Sequence, residues 1–426
     1  MVFARTLSRQ ACGMKVAVFH PGTQHSRQTA LALQQLGQLA FLATGLFDRP
    51  GGRLRRLATL LPESAGQAMV RELNRFTSPL LDPQLVRSFA RYELPERILA
   101  RAGFGGAASS FDSLANDRFA RRIAKMASAE GPFALWGYDN SSLTAFRHRA
   151  AAHVPKILDR TIADWREWNA AIDQIAVGHG DWLGPQVRPA SARLIERSEA
   201  EYELADHVVC GSPFVIDSVK RHSGVPEIEG KLHLLPYGFD PSLFGNAPAP
   251  AVRPVGEPVR FLFAGQLSAR KGIQHVLEAI QGFGPEEASL TCVGSIHVPE
   301  ARLAPLSSRV DFRGPLARAE MPAVMQAHDV LVLPSYFEGS AVVLLEALAS
   351  GMAIISTPQA GLGPSPSSGV MIDKPDTDLL GAAMERLTSD RDLLVSMRRA
   401  AIADAAKYNH DAYRRNIAAF LAGIGI

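Results

Sequence analysis

The stretch Leu333-Pro334-Ser335-Tyr336-Phe337-Glu338-Gly339-Ser340-Ala341-Val342-Val343-Leu344-Leu345-Glu346-Ala347-Leu348-Ala349-Ser350-Gly351 decides how this chain folds. The apolar run 330–333 reads as a short buried strand that ends at Pro334. A loop then carries Glu338, and a helix is expected from about 340 to 350. A wholly apolar strand leading through a loop into an apolar helix is the repeating unit of a parallel α/β sheet. Within that unit Glu346 falls about two turns into the helix. A carboxylate among Val, Leu and Ala is expensive unless it accepts hydrogen bonds, and a vicinal diol offers two donors. The helix start, with Gly339, Ser340, Ala341 and Val342, presents amides suited to a diphosphate. Glu338 stands just before it, where it could hold a sugar hydroxyl. The plainer alternative, a helix-terminal acid and a salt-bridged core glutamate, stays open on spacing alone.

The same unit recurs in both directions. Strand signals at 260–264, 290–293, 310–312, 330–333 and 353–356 alternate with helices in the second half. Signals at 15–19, 39–43, 133–136, 156–158, 207–210 and 232–235 do so in the first, with helices near 26–36 and 190–204. Residues 46–130 read as mostly helical. The proline-rich stretch 245–258 lacks periodicity and reads as a linker. The expected organisation is therefore a domain at 14–244, the linker 245–258, a second domain at 259–405, and a tail 406–426 with an amphipathic helix. Two doubly wound halves bind ligands at the carboxyl ends of their strands, which places the ligand in a cleft between the halves.

Bulk properties narrow the class. The 426 residues are 47% hydrophobic and 20% charged, with a net charge of +3, which excludes a disordered chain and a dedicated nucleic-acid binder. Cys12, Cys210 and Cys292 are widely spaced and odd in number, so neither a disulfide scaffold nor a zinc ribbon is expected. No run approaches a membrane span, and 1–13 lacks the apolar core of a secretory signal. A cytoplasmic setting is expected, with 1–13 a dispensable extension. Residues 46–130 hold fourteen Lys/Arg against nine Asp/Glu, and Arg53, Arg55 and Arg56 lie beside Leu54, Leu57, Leu60 and Leu61. Such a helix can lie on an anionic membrane face, here the inner one. A solvated helix packed on the first domain is weighed above it.

Further motifs carry chemistry. Gly265-Gln266-Leu267-Ser268-Ala269-Arg270-Lys271-Gly272 joins a strand to a helix near Ile273, setting a cation where a phosphate binds. The turn His20-Pro21-Gly22 has one glycine where a dinucleotide fingerprint needs three. The Gly22 amide could still approach a phosphate, or the turn is a plain connection. Asp376-Thr377-Asp378 resembles a metal-binding Asp-x-Asp but is more simply a helix N-cap. The histidines show no metal-ligand spacing, so no metal site is expected.

These motifs together resemble the family 4 retaining glycosyltransferases of GT-B fold. The matching features are Gly265-Gln-Leu-x-x-x-Lys271-Gly272, Val293-Gly294, Val310-x-Phe312-x-Gly314, Pro334-Ser335-x-x-Glu338-Gly339, the Glu338/Glu346 spacing and Glu346-Ala-Leu-Ala-Ser-Gly351. Upstream, Ala205-Asp206 through Ser212 and Pro236-Tyr237-Gly238-Phe239-Asp240 match as well. The resemblance implies two Rossmann-like domains, with the C-terminal helix of 406–426 crossing back to the first, and transfer of a sugar, with retention, from a nucleoside diphosphate sugar to a sugar or glycolipid acceptor. It implies no metal and no cofactor beyond that co-substrate. Lys271 would bind the donor diphosphate, Glu346 the ribose and Glu338 the transferred sugar, with backbone at Gly294, Arg313 and Gly314 around the base. The chain departs from the pattern twice. Gln266 stands where an arginine usually follows the glycine, with Arg270 the candidate replacement. After strand 133–136, Gly137-Tyr138-Asp139-Asn140 lacks the usual His, leaving Asp139 or Asn140 near the acceptor. A catalytically silent scaffold subunit of a polysaccharide-assembly complex is the alternative.

Overall fold

The computed structural model describes residues 13–22, 25–49, 52–74, 76–89, 105–129, 131–184, 186–251, 254 and 256–426. The expected N-terminal extension lies outside them except for Gly13. So do 90–104 of the basic segment and linker residues 252, 253 and 255.

Two parallel sheets organise the described residues. The first contains β1 (Lys15–His20), β2 (Leu39–Thr44), β3 (Val86–Ser88), β4 (Phe133–Tyr138), β5 (Lys156–Arg160), β6 (His207–Cys210) and β7 (Leu232–Leu234), in the order β3-β2-β1-β4-β5-β6-β7. The second contains β8 (Val259–Ala264), β9 (Ala288–Val293), β10 (Val310–Phe312), β11 (Val330–Leu333), β12 (Ala353–Ser356) and β13 (Gly369–Met371), in the order β10-β9-β8-β11-β12-β13. Both are doubly wound: the chain runs outward from the first strand, then returns to its other side. The reversal falls between β1 and β4 in one sheet and between β8 and β11 in the other. Crevices open there at the carboxyl ends of the strands. Strands covered on both faces must be apolar throughout, and all four residues of β11 are fully buried, as are Phe261, Leu262 and Phe263 of β8.

Contacts group the chain into two compact units. One takes the described residues up to Asp159 with Glu203–His207 and Asn416–Ile426; the other takes Arg160–Tyr202 and Val208–Arg415. Within the first unit, Phe420 of the last helix, His410–Gly423, stands edge-on to Trp136 of β4 at 5.8 Å between centroids.

Several elements differ from the sequence reading. β3 lies in the segment read as mostly helical; it is a three-residue edge strand with one buried side chain, too short for a period-2 signal. β13 is equally short and was not anticipated. The helix expected from 340 starts at Val342, because Ala341 is extended at φ −71°, ψ 95°. In the basic segment the helix Arg53–Ala58 turns Arg55 inward, its Nε 2.5 Å from Asp48 and its Nη2 2.8 Å from Asn74. Leu57, Leu60 and Leu61 are exposed to 49%, 80% and 40%. No helix among the described residues is long and apolar enough to cross a membrane. Asp376 caps the helix Thr377–Ser389, accepting from the Asp378 and Leu379 amides at 3.0 and 3.1 Å, as its position suggested.

Candidate active site

The second sheet's crevice is built by the loops after β8 and β11, which parallel pairing sets side by side with Phe261 opposite Val330 and Leu262 opposite Leu331. Gly272 ends the first loop at φ +73°, and a Cβ there would run into the Pro334 carbonyl oxygen. A residue without a side chain is thus what lets the two loops touch. The Tyr336 amide donates to the Arg270 carbonyl at 2.8 Å, fixing their register.

That register delivers two cations to one carboxylate. Arg270 Nη1 lies 2.9 Å from Glu338 Oε1 and donates to the Phe337 carbonyl at 2.6 Å, while Lys271 Nζ forms an ion pair with the same Oε1. Lys271 and Glu338 are both buried. Burial pushes the Lys271 ammonium below its usual range, against the pull of Glu338. Burial alone would raise Glu338, but Lys271 and Arg270 outweigh it and hold the carboxyl below its ordinary value. Two cations against one anion leave a net positive centre beneath a crevice.

Beyond Glu338 the chain passes Gly339, where a Cβ would strike the Thr161 carbonyl, so only glycine fits this approach. The Ser340 hydroxyl oxygen is buried with no hydrogen-bond partner among the described residues. The Ala341 amide is given to the Ala360 carbonyl at 3.1 Å, so of the expected anion-binding amides this one is already engaged. In the first turn of the helix Val342–Ala349 the Leu344 amide is given to the Ala341 carbonyl at 2.9 Å, while those of Val342 and Val343 have no intrahelical acceptor. Glu346, buried in that helix, meets the exposed Arg318 at 2.7 Å. Burial raises its carboxyl above the usual value despite Arg318. The pair with Arg318 is the salt bridge that spacing had left open.

The remaining second-unit residues fall around the same crevice with unequal roles. The Gly294 amide donates to the Gly314 carbonyl at 2.8 Å, and the Arg313 amide to the Cys292 carbonyl at 2.9 Å, so these backbones form one surface. The Arg313 side chain turns away to Asp311, 2.7 Å from its Oδ2. Gln266 is exposed, and Gly265 takes φ +142°, with a Cβ position 3.3 Å from the Lys271 stem.

The first unit has its own crevice between β1 and β4. Phe19 pairs with Gly137, and the His20 ring stands edge-on to Tyr138 at 5.4 Å. The Gly22 amide donates to His20 Nδ1 at 3.0 Å, so this amide is held by the ring. Asp139 is buried, its amide bonded to the Asp159 carbonyl at 3.0 Å, and Asn140 after it is left-handed at φ +63°. Burial lowers the His20 pKa against the attraction of Asp139. The sequence reading looks for a histidine after β4, whereas the adjacent strand β1 supplies His20, a candidate that reading does not single out. Its signal was present at the end of the first strand, but only the sheet order makes it a neighbour of Asp139.

Residues 258–390 match the family model described as glycosyl transferases group 1. The D-inositol 3-phosphate glycosyltransferase of Corynebacterium jeikeium is 30% identical over 167 residues, covering 35% of this chain and 40% of that one. The chain thus matches less than half the length of that relative. Among solved structures, the sucrose-phosphate synthase of Thermosynechococcus elongatus superposes with a TM-score of 0.65 at 18% identity, covering 96% of this chain and 99% of that one. HepE of Anabaena, solved in complex with UDP-glucose, does so with a TM-score of 0.60 at 13% identity, covering 96% and 100%. The fold is GT-B, two Rossmann-like domains.

Proposed function

We propose that this chain, whose residues 258–390 match the group 1 glycosyltransferase model and whose fold is GT-B, moves a sugar from a nucleoside diphosphate sugar to an acceptor hydroxyl with retention of configuration. The observation that carries this reading is the convergence of Arg270 and Lys271 on Glu338 at the β8/β11 switch point. Leaving-group charge on the departing diphosphate needs preorganised cations and amides in a site of low polarity. Lys271, Arg270 and the first turn of Val342–Ala349 supply them, so no metal is assigned to the step. When the diphosphate enters, it competes with Glu338 for the two cations and releases the carboxylate toward the sugar hydroxyls. Glu346 takes the ribose diol, and the backbone at Gly294, Arg313 and Gly314 flanks the base. Asp139, with His20 beside it, is assigned to the acceptor hydroxyl.

The acceptor class is read from the exposed Leu57, Leu60 and Leu61 beside Arg56, which suit a lipid-linked sugar at the cytoplasmic membrane face. An acceptor of that kind fits a part in cell-surface polysaccharide or glycolipid synthesis. The silent-scaffold reading draws on one observation: Arg270, the candidate stand-in for the arginine absent at Gln266, is already occupied by Phe337 and Glu338. Calorimetry with UDP, GDP and ADP separates the two. Binding of one nucleotide with donor hydrolysis that Glu338→Ala abolishes, the fold being retained, supports the enzyme. Absence of binding to all three supports the scaffold.

A further inference from the structure

His179 closes the helix Trp165–His179, while His275 and Glu278 lie three residues apart on the helix Ile273–Ala279. Ninety-six residues separate the two histidines in sequence, yet their rings meet edge-on at 4.7 Å between centroids. His179 Nε2 is 3.2 Å from both carboxylate oxygens of Glu278. His275 Nδ1 lies 2.8 Å from Thr377 Oγ1, which in turn donates to Glu278 Oε2 at 2.6 Å. One ligand-capable atom from each of His179, His275 and Glu278 falls within 4.8 Å of the others.

We propose that His179, His275 and Glu278 form a binding site for a divalent transition-metal ion, zinc by its donor set, apart from the sugar-transfer site. Two imidazoles and one carboxylate suit Zn(II), whereas Mg(II) and Ca(II) require oxygen shells that this cluster lacks. Ligands at zinc distances around a tetrahedral ion stand about 3.3 Å apart. Closing from 4.8 Å is a side-chain adjustment at a helix end, since His179 terminates its helix. A metal-bound histidine is normally steered through its second nitrogen. That partner is in place, with Tyr336 Oη 2.7 Å from His275 Nε2. His275 is buried, which favours the neutral ring a metal needs, while Glu278 and His179 are part-exposed and leave room for a water as fourth ligand. The bound ion would tie the helix carrying Trp165 and Trp168 to the helix that follows Lys271. Because both tryptophans pack on Phe337, the ion braces the Glu338 loop from behind.

The test uses the full chain without an affinity tag. Titration with ZnCl2 is expected to show one ion per chain, accompanied by a rise in melting temperature. Co(II) is expected to give the visible bands of a tetrahedral site, and Mg(II) no binding. His179→Ala and Glu278→Gln should each lower the zinc affinity roughly tenfold or more. Both alter part-exposed groups, and circular dichroism checks that the folds match. If His179→Ala misfolds, His179→Asn takes its place. A zinc isotherm unchanged in the double variant, or less than one ion bound by the native chain, overturns the assignment. Neither result bears on the donor site, which nucleotide calorimetry reads separately.

Discussion

A missing methyl group at position 272 holds the donor loops together. Gly272 sits at φ +73°, where an L side chain costs about 1–2 kcal/mol, and its Cβ would overlap the Pro334 carbonyl. Gly272→Ala is therefore expected to destabilise the chain by at least about 1–2 kcal/mol in urea denaturation, and to weaken nucleotide binding by parting Arg270 from Tyr336. A variant with the native urea midpoint would show that the loops tolerate separation. Its neighbour Lys271 is a charge question. Lys271→Met keeps the buried stem but removes the cation, leaving Glu338 with Arg270 alone. Hydrogen bonds to charged groups contribute about 1.5–3 kcal/mol, so UDP affinity should fall roughly tenfold or more by calorimetry. The Glu338 carboxyl, freed of one cation, should titrate higher in carbon NMR.

At the scale of elements, the loop from Leu333 to Val342 is held by aromatic packing as much as by charge. Phe337 is buried, with the Trp168 ring at 5.4 Å and the Trp165 ring at 6.3 Å. Truncating a buried phenylalanine costs about 3–5 kcal/mol. Phe337→Ala should lose stability on that scale and depress kcat more than KM, because Glu338 is the next residue; Phe337→Leu should keep most of both. An Ala variant with native turnover would separate the loop's packing from its chemistry. The strand–loop–helix itself was legible in the residues, since a strand buried on both faces has to be a continuous apolar run and β11 is one. Glu346 was legible as a charge standing where an apolar residue was due, and Lys271 and Glu338 as charged loop residues beside helix starts. What pairs with them was not. Arg318 reaches Glu346 across 28 positions, and His20 reaches Asp139 only because β1 and β4 are neighbours. The approach of His179 to His275 is likewise fixed by packing between distant helices. β3 and β13 escaped because three residues carry too little periodicity to announce a strand.

For the molecule as a whole, buried histidines set how stability depends on acidity. His275 is buried against His179, and burial with that neighbour pushes its pKa from 6.5 to about 4, against Glu278 and Asp376. Between those values the unfolded chain binds a proton that the folded chain refuses, so stability rises with pH across the window and is lost on acidification. One pH unit of difference corresponds to about 1.4 kcal/mol, so His275 alone removes up to about 3 kcal/mol between pH 6.5 and 4. His20, His328 and His410 are shifted downward by burial as well and add to the same slope. Glu338 acts lower on the scale: its depressed carboxyl contributes above its ordinary value near 4.5 and is lost as pH falls further. Two successive losses are therefore expected on acidification, the first from histidines and the second from the ion-paired glutamate. Urea denaturation at intervals from pH 7.5 to 4 should show the first, and His275→Gln should flatten it while leaving the second. If the slope between pH 6.5 and 4 is the same in His275→Gln as in the native chain, the His275 ring is not its source, and the other buried histidines or the surface charge have to be.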